Sequence, residues 1–162
     1  MSETKPLILG EFSRKLDERY RLSLPEKLVE MFQANEEGDC IIAKERPGCV
    51  SLWSQADWAK KMENRVEMIQ KRLELGDLEQ KIPQLQMLGR LLSTRHRPIQ
   101  LAGRGRLLIP EGFREFLKVE AGGEVMVVGA AVCIEIWNPE KWIQYVEGRM
   151  PKFRKVFDKL SH

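Results

Sequence analysis

The sequence predicts an α+β fold in which one small module is used twice. The first observation behind this is repetition. Leu16-Asp17-Glu18-Arg19-Tyr20-Arg21-Leu22-Ser23-Leu24-Pro25-Glu26 returns as Leu101-Ala102-Gly103-Arg104-Gly105-Arg106-Leu107-Leu108-Ile109-Pro110-Glu111, with Pro25 matched to Pro110 85 positions later. Downstream, Cys49, Trp53 and Trp58 match Cys133, Trp137 and Trp142 at a spacing of 84, so a single one-residue gap aligns the two copies. The second observation is that both copies read as strand, strand, short helix, strand, strand, closed by a longer helix. A copy this short buries little surface alone, so the two are expected to pack together.

Taken in order, each copy opens with a basic, β-prone run that ends in x-Pro-Glu. Proline suits the first helical position and the acid suits the positive end of the helix dipole. A short helix should follow, with Leu28, Met31 and Phe32 as its buried stripe in the first copy and Phe113, Phe116 and Leu117 in the second. Turn signals come next, Asn35 to Asp39 and Ala121-Gly122-Gly123. A hairpin then pairs Cys40–Ala43 with Cys49–Trp53, and Val125–Val128 with Val132–Trp137. Ser54 and Asp57 have capping-box spacing, and Asn138-Pro139-Glu140 offers a cap, a first-position proline and an early acid. Trp58, Met62, Val66, Ile69 and Leu73 step along one helical face, which is expected to pack internally or between subunits. Gly76-Asp77 breaks that helix, and a second stretch around Leu85, Leu88, Leu91 and Leu92, with Pro83 near its start, leads into the second copy. Beyond Pro151, Phe153, Val156, Phe157 and Leu160 form one apolar face, with Lys152, Arg154, Lys155 and Lys159 largely opposite.

Composition excludes several classes. The stretch from Met1 to Pro6 is polar, and no apolar run approaches the roughly 18 residues that a membrane span needs, so a cytoplasmic protein is expected. Of the three cysteines, Cys49 and Cys133 occupy matching apolar strands, which points to buried free thiols. His96 and His162 are too few and too far from the cysteines for a zinc set. No nucleophile elbow, metal-binding helix or phosphate loop is present, and Gly103-x-Gly105 lacks the third glycine of a nucleotide fingerprint. The chain reads as a non-enzyme with no cofactor, no metal and no evident small-molecule substrate. The four tryptophans read as core and helix-seam residues rather than stacking platforms.

The net charge of +3 says little, but its distribution says more. From Lys81 to Pro110 there is no Asp or Glu, while Lys81, Arg90, Arg95, Arg97, Arg104 and Arg106 fall there. In the first copy Arg14, Lys15, Arg19 and Arg21 are set against Asp17 and Glu18. Strand alternation would put Arg19 and Arg21 on one face and Leu22 and Leu24 on the other, with Arg104 and Arg106 doing the same, about 6 to 7 Å apart within each pair. An exposed arginine on a β face is ordinarily solvated surface, although paired arginines at this spacing suit phosphates and base edges alike. Arg90, Arg95 and Arg97 have weaker claims, because they flank an element that could equally be surface or an intersubunit contact.

These features carry a family resemblance. Gly10-Glu11-Phe12, Leu16-Asp17-x-x-x-Arg21-Leu-x-Leu-Pro25 and Ile-Glu-Ile-Trp137-x-x-x-x-Trp142 resemble the MraZ family of bacterial regulators, built from two SpoVT-AbrB-like modules, over about Gly10 to Tyr145. The resemblance implies duplicated swapped-hairpin AbrB-like β-barrel modules with connecting and C-terminal helices. The expected divisions are a first module at 8–53, a helical connector at 54–95, a second module at 96–137 and a C-terminal helical segment at 138–162. It further implies a ring-shaped homo-oligomer, nucleoid-associated, that binds repeated G-rich promoter sites on double-stranded DNA upstream of the division and cell-wall gene cluster, usually as a repressor. The Asp-x-x-x-Arg element is the family's DNA-contacting signature, which makes Arg14, Lys15, Asp17, Arg19, Arg21, Arg104 and Arg106 the candidate DNA-binding set. Neither copy matches it fully. The first has Tyr20 where a glycine normally precedes the arginine, and the second has Ala102 where the acid belongs. A different class stays open: an oligomeric scaffold that keeps the fold but has lost operator recognition.

Overall fold

The computed structural model describes residues 6–32 and 37–162. The turn signal at Asn35 and the polar stretch from Met1 to residue 5 lie outside these residues. In the first copy the chain forms β1 (Ile8–Lys15), β2 (Arg21–Ser23), α1 (Glu26–Met31), β3 (Asp39–Arg46), β4 (Cys49–Ser54) and α2 (Gln55–Glu74). After α3 (Ile82–Arg95) the second copy repeats the order as β5 (His96–Gln100), β6 (Arg106–Leu108), α4 (Phe113–Leu117), β7 (Glu124–Ala131), β8 (Ile134–Trp137) and α5 (Pro139–Arg149), followed by α6 (Phe153–Ser161). The expected α+β architecture is therefore present.

The copies do not fold side by side. They trade strands. A six-stranded antiparallel sheet runs β1-β7-β8-β4-β3-β5, and β2 pairs with β6 in a separate two-stranded ribbon. Thus β1 pairs along its whole length with β7, from Ile8 opposite Ala131 to Lys15 opposite Glu124, while β5 lies against β3. At the centre β4 and β8 face each other with Ser51 opposite Glu135, two residues in equivalent positions of the repeat, so the quasi-two-fold axis passes between them. The cross-copy hydrogen bonds obey the same symmetry. Leu16 N donates to Gly123 O and Leu101 N to Gly38 O; Ile109 N donates to Tyr20 O and Leu24 N to Gly105 O. The strands form two sheets rather than one closed cylinder.

Exchange gives both copies a common core. Leu16, Leu22, Leu28, Ile42 and Leu52 of the first meet Leu107, Ile109, Leu117, Ile134 and Ile136 of the second in one buried cluster. Each such side chain contributes roughly 1.5–3 kcal/mol by leaving water. The strand β4 is buried at every residue because the sheet is covered on both faces. Its outer face carries two aromatic clusters, one for each copy. Trp53 and Trp58 meet edge-on with centroids 6.1 Å apart, and Trp137 lies 5.2 Å from Trp142 and 5.0 Å from Tyr145. Trp53 and Trp137 are buried and Trp58 and Trp142 half-buried, as core and seam residues should be.

The helix starts follow the sequence signals, with one difference. Ser54 Oγ accepts from Asp57 N at 3.1 Å, and Asn138 Oδ1 accepts from Glu140 N at 3.0 Å. In both copies the proline carbonyl begins the short helix, but α1 starts directly after Pro25 whereas α4 starts at Phe113. Gly112, at φ +88°, interrupts the helical path, and the Glu115 carboxylate accepts its N–H at 2.6 Å. The long α2 leaves the sheet after Trp58. Met62 and Ile69 are half-buried, but Val66 and Leu73 are 36 and 49% exposed, so the expected face is only partly covered within the chain. On α6, Phe153, Val156, Phe157 and Leu160 all face solvent. Among the described residues no helix is long and apolar enough to cross a membrane.

Candidate nucleic-acid interface

The β2–β6 ribbon sets the geometry. Leu22 and Leu107 are directly opposed and buried, which forces their neighbours outward: Arg21 opposite Leu108, and Ser23 opposite Arg106. Arg21 and Arg106 are therefore diagonal neighbours on one exposed face, roughly 7–8 Å apart by ribbon geometry. Each strand is entered through a tight turn of matching design. Asp17 N donates to Arg21 O at 3.0 Å, and Ala102 N donates to Arg106 O at 2.9 Å.

The first turn is held by its acid. Asp17 Oδ1 accepts the backbone N–H groups of Arg19 and Arg21, and Oδ2 accepts Arg21 Nε, all at 2.8 Å. These donors, led by the Arg21 amide, hold the Asp17 carboxyl below its usual pKa, so it is charged at neutral pH. The Arg21 guanidinium is thus fixed through Nε while its two terminal amino groups remain unused by that bond. Tyr20 adopts φ +61° in the turn, at the position where the second copy has Gly105 at φ +95°. The strained conformation of Tyr20 is accompanied by stacking, since Arg114 Cζ lies 4.5 Å from its ring centroid. The second turn has no such clamp. Ala102 offers no acceptor, and the Arg106 guanidinium folds back so that Nη2 would lie 3.1 Å from a Cβ at Gly103.

Strand alternation fails for two of the arginines. Arg19 and Arg104 were expected to share strand faces with Arg21 and Arg106, yet both lie in the turns. The backbone reverses there because Asp17 draws the Arg19 and Arg21 amides together, and because Gly103 and Gly105 both take positive φ. Arg19 and Arg104 are exposed at the turn crests instead.

Five of the seven candidates converge. Arg14, Lys15, Asp17, Arg21 and Arg106 line one open groove of about 330 Å³ together with Leu22 and Ser23. Four cations against one carboxylate make the groove electropositive. Arg14 is steadied by a 2.9 Å bond from Nη1 to Ser13 O and by the Phe12 ring, 5.5 Å from Cζ. Ser23 was not anticipated, although alternation two residues beyond Arg21 places it on the same face. The remaining basic residues of the acid-free segment disperse: Arg97 lies over Phe113 at 5.7 Å, and Arg95 faces the cavity under α2 and α3. Among the described residues no three His, Cys, Asp or Glu side chains are grouped to hold a metal ion.

Comparison with known proteins shows what the chain is similar to. The MraZ protein family, described as antitoxin-like, matches residues 97–159. Proteins named transcriptional regulator MraZ align along almost the whole chain. The one from Alkaliphilus metalliredigens is 29% identical over 156 residues, 96% of this chain and 97% of its own. Those from Clostridium acetobutylicum and Heliobacterium modesticaldum are 28 and 26% identical over 155 residues, covering 96 and 95% of this chain and 97 and 96% of theirs. The chain is similar to these MraZ proteins along almost its whole length. These relatives align across both copies rather than with a single module. Within this chain the two turns are unequal: one carries an acid-clamped arginine after a tyrosine, the other an unclamped arginine after a glycine.

Proposed function

We propose that this protein is a DNA-binding transcriptional regulator without catalytic activity, a repressor of the division and cell-wall gene cluster that reads repeated promoter elements as a ring-shaped oligomer in the nucleoid. The observation that carries the reading is the Asp17–Arg21 clamp on an electropositive groove. A guanidinium tethered at Nε presents its terminal fork to O6 and N7 of guanine with little orientation left to lose, and each such pair discriminates by roughly 1–3 kcal/mol. Arg21 is the principal reader in this scheme. Arg106, diagonal to it, reads with less preorganisation, and Arg14 and Lys15 meet flanking phosphates with Arg19 and Arg104 at the crests. The relatives' name, transcriptional regulator MraZ, supports the same reading. The uncovered apolar faces of α2 and α6 support association of copies. One groove makes few contacts, so affinity comes from several subunits on repeated sites and falls steeply with salt.

The test is a salt titration of fluorescence anisotropy comparing duplex DNA from the chain's own promoter and division-cluster region with a scrambled duplex of equal length. The parent is expected to prefer the native duplex near physiological salt. Arg21→Ala with Arg106→Ala should abolish that preference and leave the sedimentation coefficient unchanged. Equal, salt-erased binding of both duplexes by the parent would instead favour the oligomeric scaffold.

A further inference from the structure

The two connecting helices enclose a space that the groove does not use. Beneath α2 and α3, against the edge of the sheet, lies a cavity of about 280 Å³. One side is hydrocarbon: Val66 and Ile69 from α2 meet Leu88 and Leu92 from α3. The other is aromatic, with Trp58 and His96 tilted together at a centroid distance of 5.0 Å. Charge is concentrated in the same lining. Glu45 and Lys61 balance each other, the carboxylate accepting from Ser51 Oγ at 2.7 Å with Lys61 Nζ 4.0 Å away. Arg65 and Arg95 also line the cavity, and neither enters an ion pair among the described residues.

The wall also contains an orphan. His96 Nδ1 is buried and has no hydrogen-bond partner, the one such side-chain atom among the described residues. Buried polar atoms are nearly always satisfied, so the exception calls for an explanation. The adjoining space is far larger than the roughly 30 Å³ a water occupies, and its walls are mostly apolar. An occupant suited to this lining offers negative charge to two arginines and hydrocarbon to the leucines and Trp58, beside the His96 ring. We propose that this cavity is a binding site for a small amphipathic monocarboxylate, an alkyl or aryl acid, with its carboxylate between Arg65 and Arg95. A pocket with apolar walls and a few convergent polar groups is the usual form of a small-molecule site. The proposal does not depend on DNA recognition.

Octanoate, an acid of about ten non-hydrogen atoms, suits this volume as a probe. Isothermal titration of the intact assembled protein with octanoate should show saturable binding, one per chain, with the Trp58 indole N–H resonance shifting along the same isotherm. The neutral analogue 1-octanol should bind at least about tenfold more weakly, since it cannot form the charge-assisted bonds. Arg65→Gln with Arg95→Gln, both at exposed positions, should weaken octanoate by about tenfold or more, and Leu92→Trp should fill the space and block it. Equal binding of octanol and octanoate, indifference to the arginine pair, or no saturation by octanoate would overturn the assignment.

Discussion

Gly105 offers a stringent test of how the turn before β6 is built. It sits at φ +95°, and a methyl group placed on it would stand 2.6 Å from Val29 Cγ2. Two penalties follow from Gly105→Ala. Holding an L-residue in left-handed backbone costs about 1–2 kcal/mol, and forcing a methyl into a packed contact costs about 1–3 kcal/mol. A total loss of about 2–5 kcal/mol is expected, a large share of a typical domain's stability. The second penalty has a specific remedy. The atoms nearest the new methyl are the two Val29 γ-carbons at 2.6 and 3.5 Å, and without them the Val29 Cβ remains at 3.6 Å, an ordinary contact. Val29→Ala should therefore couple to Gly105→Ala by about 1–3 kcal/mol, its own packing loss being measured in the single variant and the backbone penalty remaining in place. Urea unfolding of the parent, both single variants and the double variant gives the coupling directly. A Gly105→Ala variant within about 0.5 kcal/mol of the parent, or a coupling energy of zero, would refute the reasoning.

Three further outcomes are expected. Asp17→Asn should loosen the Arg21 side chain and reduce discrimination between native and scrambled DNA more than overall affinity; in the parent, because the folded Asp17 pKa lies below 3.8, the clamp should persist through that pH and be lost only on further acidification, read from the Arg21 amide resonance. Glu135 is the reverse case. Burial raises its pKa, so its ionisation opposes folding as pH rises above 4.5; Glu135→Gln, which can still accept from Trp137 Nε1, should raise Tm at pH 7 and make little difference at pH 4. All three cysteines are buried with raised thiol pKa values, that of Cys40 to about 12, so Ellman's reagent at pH 8 should react with none in the folded protein and with three after unfolding.

The local grammar of the chain was readable because it rests on short-range chemistry. Ser54 and Asn138 cap the helices they precede, Leu28 and Phe113 are buried where the stripe put them, and Gly76 at φ +79° closes α2. What periodicity could not carry was partnership at a distance. Nothing in Ile8–Lys15 names Glu124–Ala131 as its partner, and the exchange was anticipated only through the family resemblance. The candidate site was legible in the same measure. Arg21 and Arg106 follow from the buried Leu22 and Leu107 beside them, whereas Arg19 and Arg104 were assigned to strands because alternation was extended through residues that turn. The turn signals were there to read, Gly103 and Gly105 in one copy and the Asp17 side chain in the other. Tyr20 concealed the first of these, since a tyrosine reads as a strand residue.

The traded strands also constrain how the protein is made. While it emerges from the ribosome, β1 has no ladder to join until β7 has been synthesised, and β3 must wait for β5 before its outer edge is covered. A chain stopped after β4 would carry β1 without its mate and bare strand edges, the features that invite aggregation, until a second copy supplied the exchanged strands. The two turns differ, with Tyr20 in one and no acid at Ala102 in the other, while the exchanged strands hold both copies in one fold.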